Sequence, residues 1–118
     1  MTEDSDDLTS LFHMLFAAFN ARDADAMLAH CAPDIDYPDG DKRLRSHDAI
    51  RHYWTEQWKH IDTKDDVTDV RRLIDDQWVV SLGQVVRNMH GSVLSRGRFE
   101  YVFHMQNNLV QRMDIHPL

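Results

Sequence analysis

Apolar residues recur every three or four positions in three stretches of the first half of the chain, which predicts three helices. The first covers residues 8–19 and has a wide apolar face. The second follows Asp23, whose carboxylate can cap free backbone N–H groups, and runs to about His30, with Pro33 behind it as a helix breaker. The third follows Ser46, which can cap it in the same way.

Alternation of apolar and polar residues in the second half predicts a series of strands. They cover residues 67–74, 78–89, 93–105 and 109–116, and a shorter extended segment covers residues 34–39. Because short turns join the long strands, neighbouring strands must be antiparallel. The turn signals are Asp75-Asp76, His90-Gly91 and Asn107-Asn108.

The order of these elements indicates the fold class. Helices followed by long antiparallel strands are typical of an α+β architecture, here in one domain spanning residues 1–118. Polar connectors are expected at residues 40–43 and 60–64. A strongly twisted sheet must bury one face against the three helices, and its curvature leaves a cone with an interior. The pattern therefore predicts a pocket with a mostly apolar wall.

Composition and charge narrow the range of partners. The chain has 118 residues, 20 of them acidic and 13 basic, which gives a net charge of −7. This balance repels nucleic-acid phosphate and anionic lipid, so neither is expected as a partner. The acidic start and the short apolar runs predict neither a secretion signal nor a membrane span. The single cysteine, Cys31, suits a reducing cytoplasm and is expected to be a buried apolar residue.

Eight histidines raise the question of a metal site. Those that could share one are His13, His30, His104 and His116, and no HxH, HxxxH or HExxH spacing joins them. The sequence also contains no glycine-rich phosphate loop and no nucleotide motif. We therefore expect neither a metal nor a cofactor.

Three stretches of the chain resemble the NTF2-like superfamily, and within it the SnoaL-like and ketosteroid-isomerase-like proteins. Residues 19–39, FNARDADAMLAHCAPDIDYPD, are similar to the pattern F-x-x-x-D-x-D-A-x-x-x-x-x-A-x-D-h-x-h-x-D, in which h is apolar. Residues 46–54, SHDAIRHYW, are similar to G-x-x-A-I-x-x-h-[YW], and residues 109–116, LVQRMDIH, to I-x-x-h-x-x-h-x. The resemblance implies a cone of three N-terminal helices packed in a strongly curved, mainly antiparallel sheet, open to a small organic ligand.

The resemblance also implies positions for acid–base catalysis. Asp39 falls where ketosteroid isomerase carries its catalytic aspartate base, although Gly40 stands where the family usually has a proline. The alternative for Asp39 is an ordinary turn residue. Of the isomerase's two oxyanion donors, the tyrosine aligns with Leu15, which cannot donate, and the protonated aspartate aligns with Tyr101, which can. Steroid isomerisation by the family's mechanism is therefore not expected.

Arg112, Asp114 and His116 alternate along the last strand and therefore share one face. By comparison with the family, that face looks into the cavity, where Asp114 would orient His116, His116 would take a proton and Arg112 would hold an oxygen. The alternative is a solvent-exposed face, because the opposite face is apolar. That apolar face consists of Leu109, Met113 and Ile115.

The other candidates are expected to contact a ligand. Tyr53 and Trp54 of the third helix either line the pocket wall or only pack in the core. Gln84 shares a strand face with apolar neighbours, so it could be a lone polar group inside. The predicted ligand-contacting set is Leu15, Phe19, Tyr53, Trp54, Gln84, Phe99, Phe103 and Arg112, and the predicted catalytic set is Asp39, Tyr101, Asp114 and His116.

Two classes of function remain open from the sequence. The first is a small cofactor-independent enzyme of the isomerase, cyclase, dehydratase or hydrolase type, which acts on a small apolar organic substrate through Asp39 or the Asp114–His116 pair. The second is a non-catalytic ligand-binding or dimerisation module. In either case we expect a homodimer through the outer sheet face, because the apolar side chains of Val85 and Val102 would be exposed to solvent in a monomer.

Overall fold

The computed structural model describes residues 8–118. These residues form three helices and six strands, which follow one another along the chain as α1 (Thr9–Asn20), α2 (Ala24–Leu28), β1 (Cys31–Asp39), β2 (Lys42–Leu44), α3 (His47–Trp58), β3 (Ile61–Ile74), β4 (Gln77–Asn88), β5 (Val93–Gln106) and β6 (Leu109–Pro117). Within residues 8–118, no helix has both the length and the apolar character needed to cross a bilayer.

The six strands form one sheet in the order β2-β1-β6-β5-β4-β3. Strand β1 runs parallel to β6, and every other neighbouring pair is antiparallel. The sheet curves without closing, so β2 and β3 are its two edges. The helices pack on one side of it. These features confirm the predicted α+β cone with a mainly antiparallel sheet.

The predicted helix caps are present, although the second helix is shorter than expected. The carboxylate of Asp23 accepts a hydrogen bond from the Ala26 N–H group at 3.1 Å, and the Ser46 hydroxyl accepts one from Ala49 at 3.1 Å. Helix α2 ends at Leu28 because the chain then joins β6 as strand β1. Pro33 lies inside β1, where the irregular register leaves room for a residue without an N–H group.

Strand β3 begins six residues earlier than the sequence predicts. It starts at Ile61, which pairs with Asn88 of β4, so the expected connector at residues 60–64 is mostly strand. The expected loop at residues 40–43 likewise contains the start of β2, which pairs with β1. Both segments are polar because one side of each faces water. Their backbone pairing, which single residues do not reveal, makes them strands.

The tight turn predicted at Asn107-Asn108 is confirmed by its backbone geometry. The two asparagines have φ angles of 53° and 62°, which is the left-handed conformation that a two-residue hairpin of this type requires. The short turn fixes the register of β5 on β6. A bulge in β6 then shifts this register, so the turn and the bulge together decide which side chains of β6 face the helices.

The core is built on the aromatic face of α1. Phe12 is fully buried, and its ring centre lies 4.7 Å from that of Phe103 and 5.8 Å from that of Trp78. One turn further on, Phe16 meets the edge of Tyr101 at 5.3 Å. Burying a side chain of this size contributes about 1.5–3 kcal/mol. This packing holds the centre of the sheet against α1.

Replacing Phe12 with Ala should lower the free energy of unfolding by about 3–5 kcal/mol, because a large buried ring leaves a cavity that its neighbours cannot fill. Urea denaturation measures this change. Met14 lies on the same helix and is 53% exposed, so Met14→Ala is the matched control and should change stability by no more than about 0.5 kcal/mol. Equal effects of the two substitutions would contradict this account of the core.

Candidate functional site

The interior of the cone contains two adjacent cavities. The inner cavity has a volume of about 30 Å³, enough for a water molecule or two, and lies between α1, α2 and the sheet. The outer cavity, called the mouth pocket below, has a volume of about 360 Å³ and opens at the end of the cone. The mouth pocket is lined by Phe19, Tyr37, Pro38, Gly40, Tyr53, Gln57, Ile61, Thr63, Gln84, Val86, Phe99, Tyr101 and Ile115.

Three aromatic side chains, Phe19, Tyr37 and Tyr101, line both cavities and so form the partition between them. The indole N–H group of Trp54 donates a hydrogen bond of 2.9 Å to the Tyr37 hydroxyl, which fixes the position of that ring. Burial raises the pKa of Tyr37 far above its ordinary value, so this hydroxyl stays protonated at neutral pH. The floor of the mouth pocket is therefore aromatic and uncharged.

Behind this floor, the inner cavity is lined by one carboxyl group among residues 8–118, and it belongs to Asp65 of β3. Asp65 is only 6% exposed and lines the inner cavity. One carboxyl oxygen, Oδ1, accepts a hydrogen bond of 2.9 Å from the Gln84 amide, whereas the buried Oδ2 has no hydrogen-bond partner. Burial raises the pKa of Asp65, and the Gln84 hydrogen bond offsets only part of that rise. A carboxyl group with these properties can exchange a proton near neutral pH.

Gln84 connects this carboxyl to the Tyr101 hydroxyl. Burial raises the pKa of Tyr101 well above its ordinary value, and the nearby Asp65 charge raises it further, while a hydrogen bond from Gln84 acts in the opposite direction. Tyr101 therefore remains a hydroxyl donor at neutral pH. Gln84 and Tyr101 both line the mouth pocket, so an amide and a phenol lie at its floor, and the Asp65 acid lies behind them in the inner cavity.

Asn20, the last residue of α1, holds Asp65 in place through the backbone. Its side-chain amide donates a 2.7 Å hydrogen bond to the Asp65 carbonyl, and its side-chain oxygen accepts a 2.8 Å bond from the Asp65 N–H group. The asparagine thus pairs with the edge strand β3 as another strand would. It ties the carboxyl-bearing residue to the helix that forms the floor of the pocket.

The predicted ligand-contacting residues divide between the two cavities, with one exception. Tyr53, Gln84 and Phe99 line the mouth pocket, and Phe19 lines both cavities. The exception is Arg112, which lines neither. The remaining members of the set line the inner cavity only and are Leu15, Trp54 and Phe103.

Asp39 lies at the rim of the cone rather than at its floor. It is the last residue of β1, pairs with Lys42 across the hairpin and is half-buried. Its carboxylate is close enough to raise the pKa of Tyr53, an effect second to that of burial. Asp39 and Asp65 are thus separate groups, one at the entrance and one inside.

The polar face of β6, which was expected to look into the cavity, lies on the outside of the sheet. Arg112 and His116 are exposed, and Asp114 lies with them on the outer face of the sheet. Arg112 and Asp114 do form a pair, with Arg112 Nε donating to Asp114 Oδ2 at 2.9 Å. A register shift opposite His104 and Met105 places Val110 and Met113 inside, so the apolar face contains Val110 in place of Leu109. Arg112, Asp114 and His116 lie outside because the apolar side chains of β6 must face the core.

Arg43 is the centre of this outer cluster and joins β2 to the sheet. Its guanidinium donates to Asp36 Oδ1 at 2.6 Å, to Asp114 Oδ1 at 3.1 Å and to the Met113 carbonyl at 2.8 Å. The hydrogen bond from Arg43 lowers the pKa of Asp36, and the one from Arg112 lowers the pKa of Asp114. These carboxylates are held as anions and serve as structural partners.

Among residues 8–118, no group of three His, Cys, Asp or Glu side chains is arranged to hold a metal ion. Among the described residues, Asp65 is the one acidic residue that lines either cavity, and it lies in the inner one. Its surroundings are aromatic and amide side chains.

Asp65 is the site residue that the sequence interpretation missed. The segment from Ile61 to Val67 was expected to be part connector, because it contains five polar residues in succession. Its period of two, with Ile61, Thr63, Asp65 and Val67 at alternate positions, is the signal that could have placed Asp65 on the inner face. The burial of Thr63 and Asp65 follows that period.

Comparison with known proteins identifies the family. The sequence model of the SnoaL-like domain matches residues 12–113, so the chain belongs to the SnoaL-like domain family. A search of curated protein sequences finds no significant match.

Solved structures share the fold at low sequence identity. An NTF2-like protein of unknown function from Burkholderia pseudomallei is 20% identical, with a TM-score of 0.80 over 92% of this chain and 88% of the other. TerC, co-crystallised with polyporic acid, is 17% identical, with a TM-score of 0.79 over 92% and 89%. A candidate polyketide cyclase from Sinorhizobium meliloti is 22% identical, with a TM-score of 0.75 over 98% and 100%. These similarities confirm the NTF2-like fold.

Replacing Asp65 with Asn should stabilise the protein increasingly as the pH rises. Because burial raises the folded-state pKa of Asp65, wild-type stability falls as the pH rises from the unfolded pKa, about 3.9, through the folded one. Asparagine does not titrate, so the stability gap should widen over this window and then stay constant. Urea denaturation between pH 4 and 8 measures it. The adjacent exposed position gives the control, Asp66→Asn, and a gap that narrows with rising pH would contradict the assignment.

Removing Arg43 should have the opposite pH signature. Because the folded-state pKa of Asp36 is lowered, its pairing with Arg43 contributes fully to stability above the unfolded-state pKa of the carboxyl. That contribution is lost as the pH falls through the folded-state pKa. Arg43→Met should therefore destabilise most at neutral pH, with the difference from wild type shrinking toward pH 2–3. The exposed neighbour gives the control Lys42→Met, and acid denaturation followed by circular dichroism measures both. A pH-independent difference would show that Arg43 acts only through packing.

Proposed function

We propose that the protein binds a small, largely apolar organic molecule in the mouth pocket and carries out cofactor-independent acid–base chemistry on it. The volume of about 360 Å³ is within the range of small-molecule sites. The wall is mostly aromatic and aliphatic, and a few polar groups converge at the floor. Such a combination favours a neutral ring system that carries one or more oxygens.

The observation that carries the proposal is the unpartnered Oδ2 of Asp65 in an apolar cavity. A buried polar atom without a partner costs about 1–3 kcal/mol of stability. Such atoms are rare in native structures, and a catalytic role is one explanation for them. A ligand that supplies a C–H or O–H proton at this point would complete the site. The raised pKa of the carboxyl suits it to accept and return that proton.

The reaction class follows from Gln84 and Tyr101 at the floor and from Asp65 behind it. Asp65 Oδ2 takes a proton from a carbon next to a ligand carbonyl, and the electron pair of the broken C–H bond moves onto the carbonyl oxygen. The protonated Tyr101 hydroxyl donates a hydrogen bond to that oxygen and stabilises its charge. In a ligand with a C=C bond conjugated to the enolate, Asp65 returns the proton at the far carbon, which gives isomerisation. Alternatively the enolate carbon attacks a second carbonyl, which closes a ring, and Asp65 returns the proton to the new alkoxide oxygen. The similarity in fold to candidate polyketide cyclases supports the second outcome.

A non-catalytic ligand-binding module is the second candidate, and the size of the inner cavity favours it. A volume of about 30 Å³ holds no organic ligand, and Phe19, Tyr37 and Tyr101 stand between Asp65 and the mouth pocket. Catalysis by Asp65 requires a reacting carbon to pass this partition. If the partition stays closed, the ligand contacts Gln84 and Tyr101 without reaching the acid.

Proton exchange on a simple ketone distinguishes the two candidates. 2-Tetralone is a two-ring ketone of suitable size, and its α-protons exchange with deuterium in D₂O at a rate that NMR measures. We expect the wild-type protein to accelerate this exchange, and Asp65→Asn to lose about 100-fold or more of the acceleration, the usual contribution of a general base. Isothermal titration calorimetry with the same compound measures binding separately.

Two matched variants complete the experiment. Asp66→Asn should leave the exchange rate unchanged, and Asp39→Asn tests whether the carboxylate at the rim contributes instead. Binding of 2-tetralone with exchange at the buffer rate would support the binding module. Absence of both binding and exchange would overturn the proposal for this ligand class.

A further inference from the structure

Two glycines that lie inside long strands of the sheet differ in what surrounds them. They are Gly83 of β4 and Gly97 of β5. A glycine inside a strand weakens it and often marks the close approach of another group. A Cβ atom built at Gly83 would meet no atom within 4 Å, whereas one built at Gly97 would lie 3.3 Å from Cε2 and 3.6 Å from Cζ of Phe99. Gly97 therefore has a close neighbour that Gly83 lacks.

These distances show that the Phe99 ring leans back along β5 toward Gly97. Residues two positions apart on a strand share a face, and their side chains stand about 7 Å from each other. The atoms that approach residue 97 belong to the far end of the ring, so the ring bridges this spacing. A ring that covers a strand glycine is a known device in sheets. The Phe99 ring can take this position because residue 97 has no side chain.

Strand register places Gly97 and Phe99 on the face that looks into the mouth pocket. Gly97 pairs with Gln84 and Phe99 pairs with Leu82, and both Gln84 and Phe99 line that pocket. Leu82 is only 1% exposed, so the space on the β4 side of the ring is filled. The free volume beside the ring is the mouth pocket itself, with its volume of about 360 Å³. A ring displaced from residue 97 would therefore move into the pocket.

We propose that Gly97 determines the width of the mouth pocket and so selects the size of the ring system that the protein accepts. The bare backbone at residue 97 lets the Phe99 ring lie along the sheet and leaves the pocket open. Because carbon atoms pack at about 3.5–4.0 Å, a methyl group at this position would force the ring to retreat by a few tenths of an ångström. The inference rests on the proposed function, since it takes the mouth pocket as the place where the ligand binds.

Crystal structures of variants test the width of the pocket without any ligand. In Gly97→Ala the Phe99 ring should move by a few tenths of an ångström toward the mouth pocket, and in Gly97→Val, whose side chain is larger, it should move farther. Valine favours a strand, so this variant should fold. Gly83→Ala makes the same change where space is open and should leave the ring in place. A Phe99 ring that keeps its position in both Gly97 variants would overturn the inference.

A series of ketones with one, two and three rings tests the size limit. The compounds are cyclohexanone, 2-tetralone and 3,4-dihydrophenanthren-1(2H)-one, and NMR titration of the protein measures each dissociation constant. Gly97→Ala should weaken binding of the largest ketone that the wild type accepts about tenfold, the usual effect of one methyl group in an apolar pocket, and that of cyclohexanone by less than about twofold. Gly83→Ala should change none of the three constants. Equal losses for all the ketones that bind would contradict a size limit.

Removal of the Phe99 ring separates this mechanism from a general effect on the strand. In a Phe99→Ala background, Gly97→Ala should cause no further loss of affinity for the largest ketone, because the ring that it displaces is absent. Circular dichroism checks the folding of each variant, and Phe99→Leu, which keeps an apolar side chain, replaces Phe99→Ala if that variant does not fold. The same loss with and without the ring would show that Gly97 acts without Phe99 and would overturn the inference.

The inference and the proposed function can fail separately. A wild-type protein that binds none of the ketones would overturn the proposed function for this ligand class, and the crystal structures would still decide whether Gly97 sets the width of the pocket. Conversely, a Gly97→Val variant with an unmoved Phe99 ring and wild-type exchange of 2-tetralone protons would overturn the inference and leave the proposed function intact.

Discussion

The packing of the aromatic face of α1 into the concave side of the sheet is the interaction on which the rest of the structure depends. Phe12 and Phe16 fix the centre of the sheet at ring distances of 4.7–5.3 Å from Phe103 and Tyr101. The sheet must bend to cover this helix, and beyond Phe19 the helix ends while β4 and β5 continue. The mouth pocket is the space left between the longer strands and the shorter helix.

A buried carboxyl is tolerated behind the floor of that space because its surroundings are fixed. Asn20 holds the backbone of Asp65 with two hydrogen bonds, and Gln84 satisfies one carboxyl oxygen. The other oxygen stays unpartnered, and burial keeps the pKa of the group raised. The unpartnered oxygen costs stability at this residue. Tyr101 adds a neutral donor beside it without adding charge.

The two faces of the sheet use charge in different ways. Inside, Asp65 is the acidic residue of the cavities, and no Lys or Arg among residues 8–118 lines either of them. Outside, carboxylates and guanidiniums pair, and Arg43 joins β1, β2 and β6 through Asp36 and Asp114. The paired charges hold edge strands in place.

The sequence by itself determined the α+β class, the helix caps, the Asn107-Asn108 turn and much of the cavity lining, because capping, turn chemistry and apolar periodicity are local properties. Leu15, Phe19 and Phe103 belong to this group. Tertiary structure alone decided the burial of Asp65 and the outward direction of Asp114. A polar residue in a strand can face either side, and its direction depends on register, on the bulge in β6 and on which side the helices cover. Each of these features depends on contacts between segments that are distant in the sequence, so a local pattern of residues does not reveal them.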